Sequence, residues 1–516
     1  MTATRTDPVP VGAAPLTAQH VLAVARDGAP VLLDDSAMAR LATVRAHIDD
    51  LAHHPKPVYG VSTGFGALAL RHIPPERRID LQRSLIRSHA AGAGAAVEPE
   101  VVRAMMLLRL RTLMSGYTGV RPETAATLAQ LLNSGLIPVV PEYGSLGCSG
   151  DLAPLAAVAL ALMGEGEVFG PDGTTMPAGP ALAAAGIEPL VLAEKEGLAL
   201  TNGTDGMLGM LVLAVAELNR LLDIADLTAA MSVEALLGTD RVFASDLQAL
   251  RPHPGQAGSA ARMRAVLTGS EIVASHRGDD CPRVQDAYSL RCAPQVHGAA
   301  RDTVAHAEAV AARELAAAID NPVVLDDGRV ESNGNFHGAP VGYVLDFLAI
   351  AVADVASIAE RRTDRMLDVH RSHGLPAFLA DDPGVDSGYM IAQYTQAGVV
   401  SELKRLAAPA SVDSIPSSAM QEDHVSMGWA AGRKLLRAVS GLTTVLAIEL
   451  LTAARAVELR APLAPAPVTG AVLDLVRTRV PGPGPDRHLA PDIAAVAELI
   501  RSGAVNSVLD REVSDS

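Results

Sequence analysis

Residues 144–155, GSLGCSGDLAPL, crowd three glycines, two serines, Cys148 and Asp151 into a short stretch that ends on an apolar helix-like run. Such a stretch invites three kinds of chemistry. A phosphate-cradling loop needs G-x-x-x-x-G-K-[ST], and no lysine follows here. A dinucleotide fingerprint needs G-x-G-x-x-G after a strand, whereas Gly144, Gly147 and Gly150 are spaced by threes. A hydrolase elbow needs G-x-S-x-G, and GCSGD puts Asp151 where the last glycine belongs. Spacing leaves a tight glycine turn entering a helix capped by Ser149 or Asp151.

Other segments carry groups able to bind or move protons. YGVSTGFGAL contains Tyr59, TNGTDG contains Asn202, and VQDAYSLRCAPQV contains Gln285, Tyr288 and Arg291. NGNFHGAP contains Phe336, and SSAMQEDHVSMG contains Gln421 and Glu422. Taken singly, each has an ordinary reading: a buried tyrosine in a glycine-rich turn, a helix cap, a solvated charge. Tyr288 and Arg291 would share a face if their segment is helical.

In this order the motifs resemble the aromatic amino acid ammonia-lyase family, whose members act on histidine, phenylalanine or tyrosine. The resemblance runs from about residue 15 to about residue 490. It implies that Cys148-Ser149-Gly150 cyclises on itself: the Gly150 amide attacks the Cys148 carbonyl, and loss of two waters makes Ser149 an exocyclic methylidene. The product, 4-methylidene-imidazol-5-one, is an electrophile that ordinary side chains do not offer. Glycine supplies an unhindered amide and serine a hydroxyl that can be eliminated. Cys148 contributes only its backbone, so its thiol is expected to be a bystander.

The resemblance also assigns roles. Tyr59 is the β-proton base; a free tyrosine titrates near pH 10, so the site must lower it or hold it near positive charge. Asn202 is a hydrogen-bond donor beside the prosthetic group, and Arg291 clamps the substrate carboxylate. Gln285 and Phe336 line the site, Tyr288 is catalytic, and Gln421 and Glu422 contact the substrate or its leaving amine. LIRSHAAGAG places Ser88 and His89 at the positions that select the ring, in the pattern of the histidine-acting members. His89 and Glu422 together could bond both nitrogens of an imidazole. Against a phenyl ring each would be left unpaired, at roughly 1–3 kcal/mol apiece. The implied reaction is elimination of ammonia from L-histidine to give trans-urocanate. The alternative is a lyase or 2,3-aminomutase acting on another aromatic amino acid. Two positions depart from the family pattern: Ala157, where a histidine is usual, and Thr201, where an apolar residue precedes the asparagine. A serine hydrolase using Ser149 and a catalytically inert helical assembly protein are the competing classes.

These residues need a scaffold, and composition says which kind. Of 516 residues 49% are hydrophobic and only 3% aromatic, and Ala- and Leu-rich stretches dominate, so a mainly α fold is expected. Residues 207–237 read as one or two long helices, and 299–319, 340–367 and 432–460 read likewise. Apolar around most of their girth, they predict a central bundle; the resemblance implies the ammonia-lyase/fumarase-aspartase-like architecture. The expected organisation is a flexible N-terminus (1–15), an N-terminal domain with the loop (16–205), a long-helix bundle (206–460) and a C-terminal helical region (461–516). VFGPDGTTMPAG suggests a small hairpin in the N-terminal part. A net charge of −16 offers no basic face for nucleic acid. Three cysteines without metal spacing predict neither a disulfide framework nor a metal site. The N-terminus lacks the apolar core of a signal peptide, and YVLDFLAIAVADVASIAE carries Asp346 and Asp354, so no membrane span and a cytoplasmic location are expected. The family further implies a homotetramer whose sites draw residues from several chains.

Overall fold

In the computed structural model, residues 7–52, 60, 62–64, 71–278, 281 and 284–514 are described. Helices dominate, as composition predicts. The long apolar pattern after residue 205 forms one unbroken helix, Asp205–Ala235, and three more long helices span Ala293–Ala316, Ala339–Leu367 and Gly428–Glu458. Burial explains the first of these. Met207, Leu208, Met210, Leu211, Val212 and Leu213 point in different directions around the helix, yet all are buried. A helix apolar on all sides must be enclosed by neighbours.

By Cα packing the chain forms two compact units; four of the five boundaries fall inside these four helices, and the fifth follows helix Met390–Leu406. The first comprises Met1–Leu213, Glu308–Leu345 and Pro409–Arg433. It holds all the strands among the described residues: a parallel pair, Val9–Val11 with Val31–Leu33, and three small antiparallel groups. One of these contains the hairpin Glu167–Phe169/Thr175–Pro177 that the turn signal predicts. The second unit comprises Ala214–Ala307, Asp346–Ala408 and Lys434–Ser516 and is helical among its described residues. Its C-terminal portion, punctuated by proline in the sequence, folds as regular helices Pro467–Arg477, Leu489–Arg501 and Ala504–Ser514. Val472, Val476, Val496, Ile500 and Leu509 bury their inner faces.

Ala339–Leu367 and Gly428–Glu458 are long and apolar enough to cross a membrane by length and composition, although the first carries Asp346. In the fold 61% and 72% of their apolar windows are buried inside the protein, and Asp346 forms an ion pair with Lys434.

Candidate functional site

The glycine-rich loop joins strand Pro141–Tyr143 to helix Leu152–Leu162. Three of its residues have left-handed backbones: Gly147 at φ +87°, Ser149 at +50° and Gly150 at +87°. Ser149 pays for this conformation, since a Cβ is disfavoured there by about 1–2 kcal/mol. The two glycines have no alternative. A Cβ on Gly147 would land on the Ser426 carbonyl, and one on Gly150 would land on the Gly203 carbonyl. Backbone bonds hold the turn from both sides: Gly150 N–H donates to Gly147 O (3.1 Å), Gly203 N–H to Ser149 O (3.1 Å) and Asp151 N–H to Gly203 O (2.8 Å). A tripeptide with a β-hydroxyl at its centre and unhindered glycine at its end is thus clamped in a strained turn. Cys148, Ser149 and Gly150 therefore fit a self-cyclising group.

Asp151 occupies the cap position of helix Leu152–Leu162 but does not cap it. Its carboxylate instead accepts the Gly206 and Met207 N–H groups, both at 2.9 Å, in the first turn of helix Asp205–Ala235. Those amides have no partner within their own helix. Burial raises the Asp151 carboxyl to about 7, while the two amide bonds pull the other way.

Several residues singled out in the sequence meet around this loop. The Cys148 thiol lies against Glu422, Ser149 and Ser417; burial, then the Glu422 carboxylate, push it up to about 12. It stays a thiol at neutral pH and is no nucleophile. Glu422 is held by Ser417, whose hydroxyl donates to Oε2 at 2.9 Å and whose backbone N–H donates to Glu422 O at 2.9 Å. The connecting residues Ser418, Ala419 and Met420 are all left-handed (φ +49°, +53° and +70°), strain concentrated where Gln421 and Glu422 project. Gln421 itself is exposed.

Ser88 and His89 end helix Arg78–His89. The Ser88 hydroxyl donates to Leu85 O at 2.9 Å and lies 3.0 Å from His89 Nδ1. With its only proton committed, Ser88 can receive a bond only from Nδ1–H, which leaves His89 Nε2 as an acceptor. Burial holds the His89 imidazole below its ordinary pKa, and the nearby Glu422 charge opposes this. Ser88 is thus the residue that orients His89 rather than a second contact surface.

Asn202 is buried at the end of helix Glu196–Thr201, one residue from the glycine that clamps the loop. Its Nδ2 donates to Asn321 O at 2.7 Å, so one of the protons expected to face the prosthetic group is already engaged. Thr201 is buried and returns its hydroxyl to Gly197 O at 3.0 Å within the same helix. A satisfied hydroxyl explains how it replaces an apolar residue. Phe336 is half-buried in a loop pinned by Asn333, whose N–H reaches Asn321 Oδ1 (3.0 Å) and whose Nδ2 reaches Asp320 O (3.0 Å). The His337 and His424 rings stack at 5.5 Å, tying the Phe336 segment to the Glu422 segment.

Sequence reading missed the supports beneath these groups. Lys195 is fully buried, left-handed at φ +75°, and paired with Asp320 at 2.5 Å. Arg109, also buried, pairs with Asp205 at 2.7 Å and donates to Asn202 O at 2.5 Å. Nothing in local sequence marks a lysine or arginine as buried. Asn333 and Ser417, by contrast, sit inside the quoted motifs.

Gln285, Tyr288 and Arg291 belong to the second unit. Tyr288–Arg291 is a single helical turn, and the Arg291 guanidinium lies over the Tyr288 ring at 4.6 Å, the shared face anticipated from their spacing. Gln285 and Tyr288 are exposed, and Gln285 with Asp286, Arg241, His276 and Arg277 lines a cavity of about 240 Å³. Tyr59 lies outside the described residues.

Comparison with known proteins finds relatives across nearly the whole chain. Residues 16–478 match the model of a family described as aromatic amino acid lyase. The chain is 68% identical to the histidine ammonia-lyase of Streptomyces coelicolor over 496 residues, 96% of this chain and 97% of that one. Among solved structures it resembles the tyrosine aminomutase of Streptomyces globisporus (TM-score 0.92, 38% identity, 98% and 99% of the two chains). It also resembles the histidine ammonia-lyase of Trypanosoma cruzi (TM-score 0.89, 39% identity, 98% and 95%).

Proposed function

The chain belongs to the aromatic amino acid lyase family, and from that premise we propose that it is a histidine ammonia-lyase, a carbon–nitrogen lyase releasing ammonia from L-histidine to give trans-urocanate. The observation that carries the choice of substrate is the 68% identity to a histidine ammonia-lyase across nearly the whole chain. The geometry around His89 supports it. A neutral His89 with Nε2 free to accept, beside the Glu422 carboxylate, offers acceptors for an imidazole N–H and nothing useful to a phenyl ring.

Cys148, Ser149 and Gly150 would hold the self-formed group, which would supply an electrophile that makes the amine a better leaving group. Everything else falls to side chains. Arg291 binds the substrate carboxylate with a planar fork that a lysine could not match. Tyr59 removes the β-proton, with Tyr288 assisting. Glu422, fixed by Ser417, faces the imidazole with His89 and Gln421 holds the amine, while Asn202 orients the electrophile and Phe336 closes the pocket against water. The working enzyme is a cytoplasmic homotetramer in which Gln285, Tyr288 and Arg291 of one subunit complete the site around another subunit's loop.

Ultraviolet spectroscopy of the purified protein given L-histidine, L-tyrosine or L-phenylalanine separately tests the reading. Urocanate from histidine alone supports it. A cinnamate or a β-amino acid from tyrosine or phenylalanine would overturn the substrate and favour the aminomutase-like alternative that the 0.92 TM-score leaves in view. Mass spectrometry of the loop peptide must show a deficit of two waters.

A further inference from the structure

Arg362 and Glu449 are both fully buried in the second unit, on helices Ala339–Leu367 and Gly428–Glu458. They form a fork-on-fork pair, Nε to Oε1 at 2.5 Å and Nη2 to Oε2 at 3.1 Å. Two hydroxyls of helix Asp205–Ala235 complete the carboxylate: Thr228 donates to Oε2 at 2.7 Å and Ser232 to Oε1 at 3.0 Å. The guanidinium's third edge points elsewhere. Its Nη1 donates to the backbone carbonyl of Ser289 at 3.3 Å, between Tyr288 and Leu290.

A buried pair of this kind adds little net stability, because desolvation offsets most of its attraction. What it does supply is direction. The four-residue turn Tyr288–Arg291 is too short to hold its own shape and depends on outside tethers. One is Asp286, whose carboxylate accepts Thr239 N–H at 2.7 Å and whose carbonyl accepts Arg291 Nε at 3.0 Å. The other is Arg362. We propose that the Arg362–Glu449 pair is a positioning device for the substrate-carboxylate clamp, fixing through the Ser289 carbonyl the turn that presents Tyr288 and Arg291. The inference rests on the assignment of Arg291 as that clamp.

The test measures inhibition by two histidine analogues in the intact enzyme: imidazolepropionate, which keeps the carboxylate, and histamine, which lacks it. Arg362→Lys keeps the charge opposite Glu449 but cannot reach Ser289. It is expected to weaken imidazolepropionate by about tenfold, the penalty of a small misplacement, and to shift histamine by less than about twofold. KM for histidine should rise more than kcat falls. Glu449→Gln keeps the side-chain shape but replaces one accepting oxygen with an amide N–H that faces donors, so it loosens the pair from its other side and should shift the two inhibitors in the same unequal pattern, with retained histamine inhibition showing that each variant is folded. Equal weakening of both inhibitors, or of neither, overturns the proposal. Arg291→Met is measured in parallel: if it leaves the preference for imidazolepropionate intact, the clamp assignment fails, a result distinct from failure at Arg362.

Discussion

At His89 one hydroxyl sets which ring nitrogen is free. Ser88 spends its proton on Leu85 O and thereby dictates which His89 nitrogen is free. Because burial disfavours the charged ring, His89 presents a lone pair at neutral pH rather than a second donor. Replacing it by His89→Leu removes that acceptor; kcat/KM for histidine should fall about 10–100-fold while the preference over phenylalanine narrows, measured with both substrates side by side. Asp151 gives a pH prediction of definite sign. Its carboxyl lies at about 7 in the fold against 3.8 in the unfolded chain. A carboxyl raised in this way binds a proton on folding, so its contribution is fully present below pH 3.8 and declines as pH climbs towards 7. The stability of the parent relative to Asp151→Asn should therefore decrease between pH 4 and pH 7, by roughly 4 kcal/mol at most. Chemical denaturation of both proteins across that range checks it.

At the level of elements, the loop is only as good as its two contacts. Gly147 meets Ser426, beside the Glu422 segment, and Gly150 meets Gly203, beside Asn202. The same close approaches that forbid a side chain also bring two site segments onto the tripeptide. Gly147→Ala should cost at least about 1–2 kcal/mol from its left-handed backbone alone, and more from the collision. The decisive measurement is the loop peptide's mass: the two-water deficit should be reduced or lost, because the turn that favours cyclisation has been pushed open. Asp151 joins the loop to the start of helix Asp205–Ala235, so a long apolar helix and the glycine-rich turn share one anchor.

At the scale of the whole molecule, some large hydrophobics are partly exposed on one chain. Tyr343, Phe347 and Ile350 on helix Ala339–Leu367 are about half exposed, at spacings that place them on one face. Such a stripe suits burial against further copies. The proposed sharing of sites makes a sharper prediction than oligomer size. Ser149→Ala and Arg291→Met, each inactive alone, should regain part of the activity when co-expressed, since mixed tetramers assemble some sites with an intact loop and an intact clamp. Activity no greater than that of either parent would mean that each chain completes its own site.

The proposed chemistry was legible through resemblance, carried by residue identity in a short run: only glycine fits beside the Ser426 and Gly203 carbonyls, and Ser149 holds the β-hydroxyl that the proposed cyclisation would eliminate. The helical class was legible too, since apolar spacing follows the 3.6-residue period whatever the partner. Family resemblance, rather than spacing, identified Tyr59, Asn202 and Arg291. Only the tertiary structure could show that Asp151 caps a distant helix, that Ser88 serves His89, and that Lys195, Arg109 and Arg362 are buried in ion pairs. A charged side chain can leave water only when a partner far away in sequence meets it with the right geometry. That pairing is a property of the folded chain, and no local pattern encodes it.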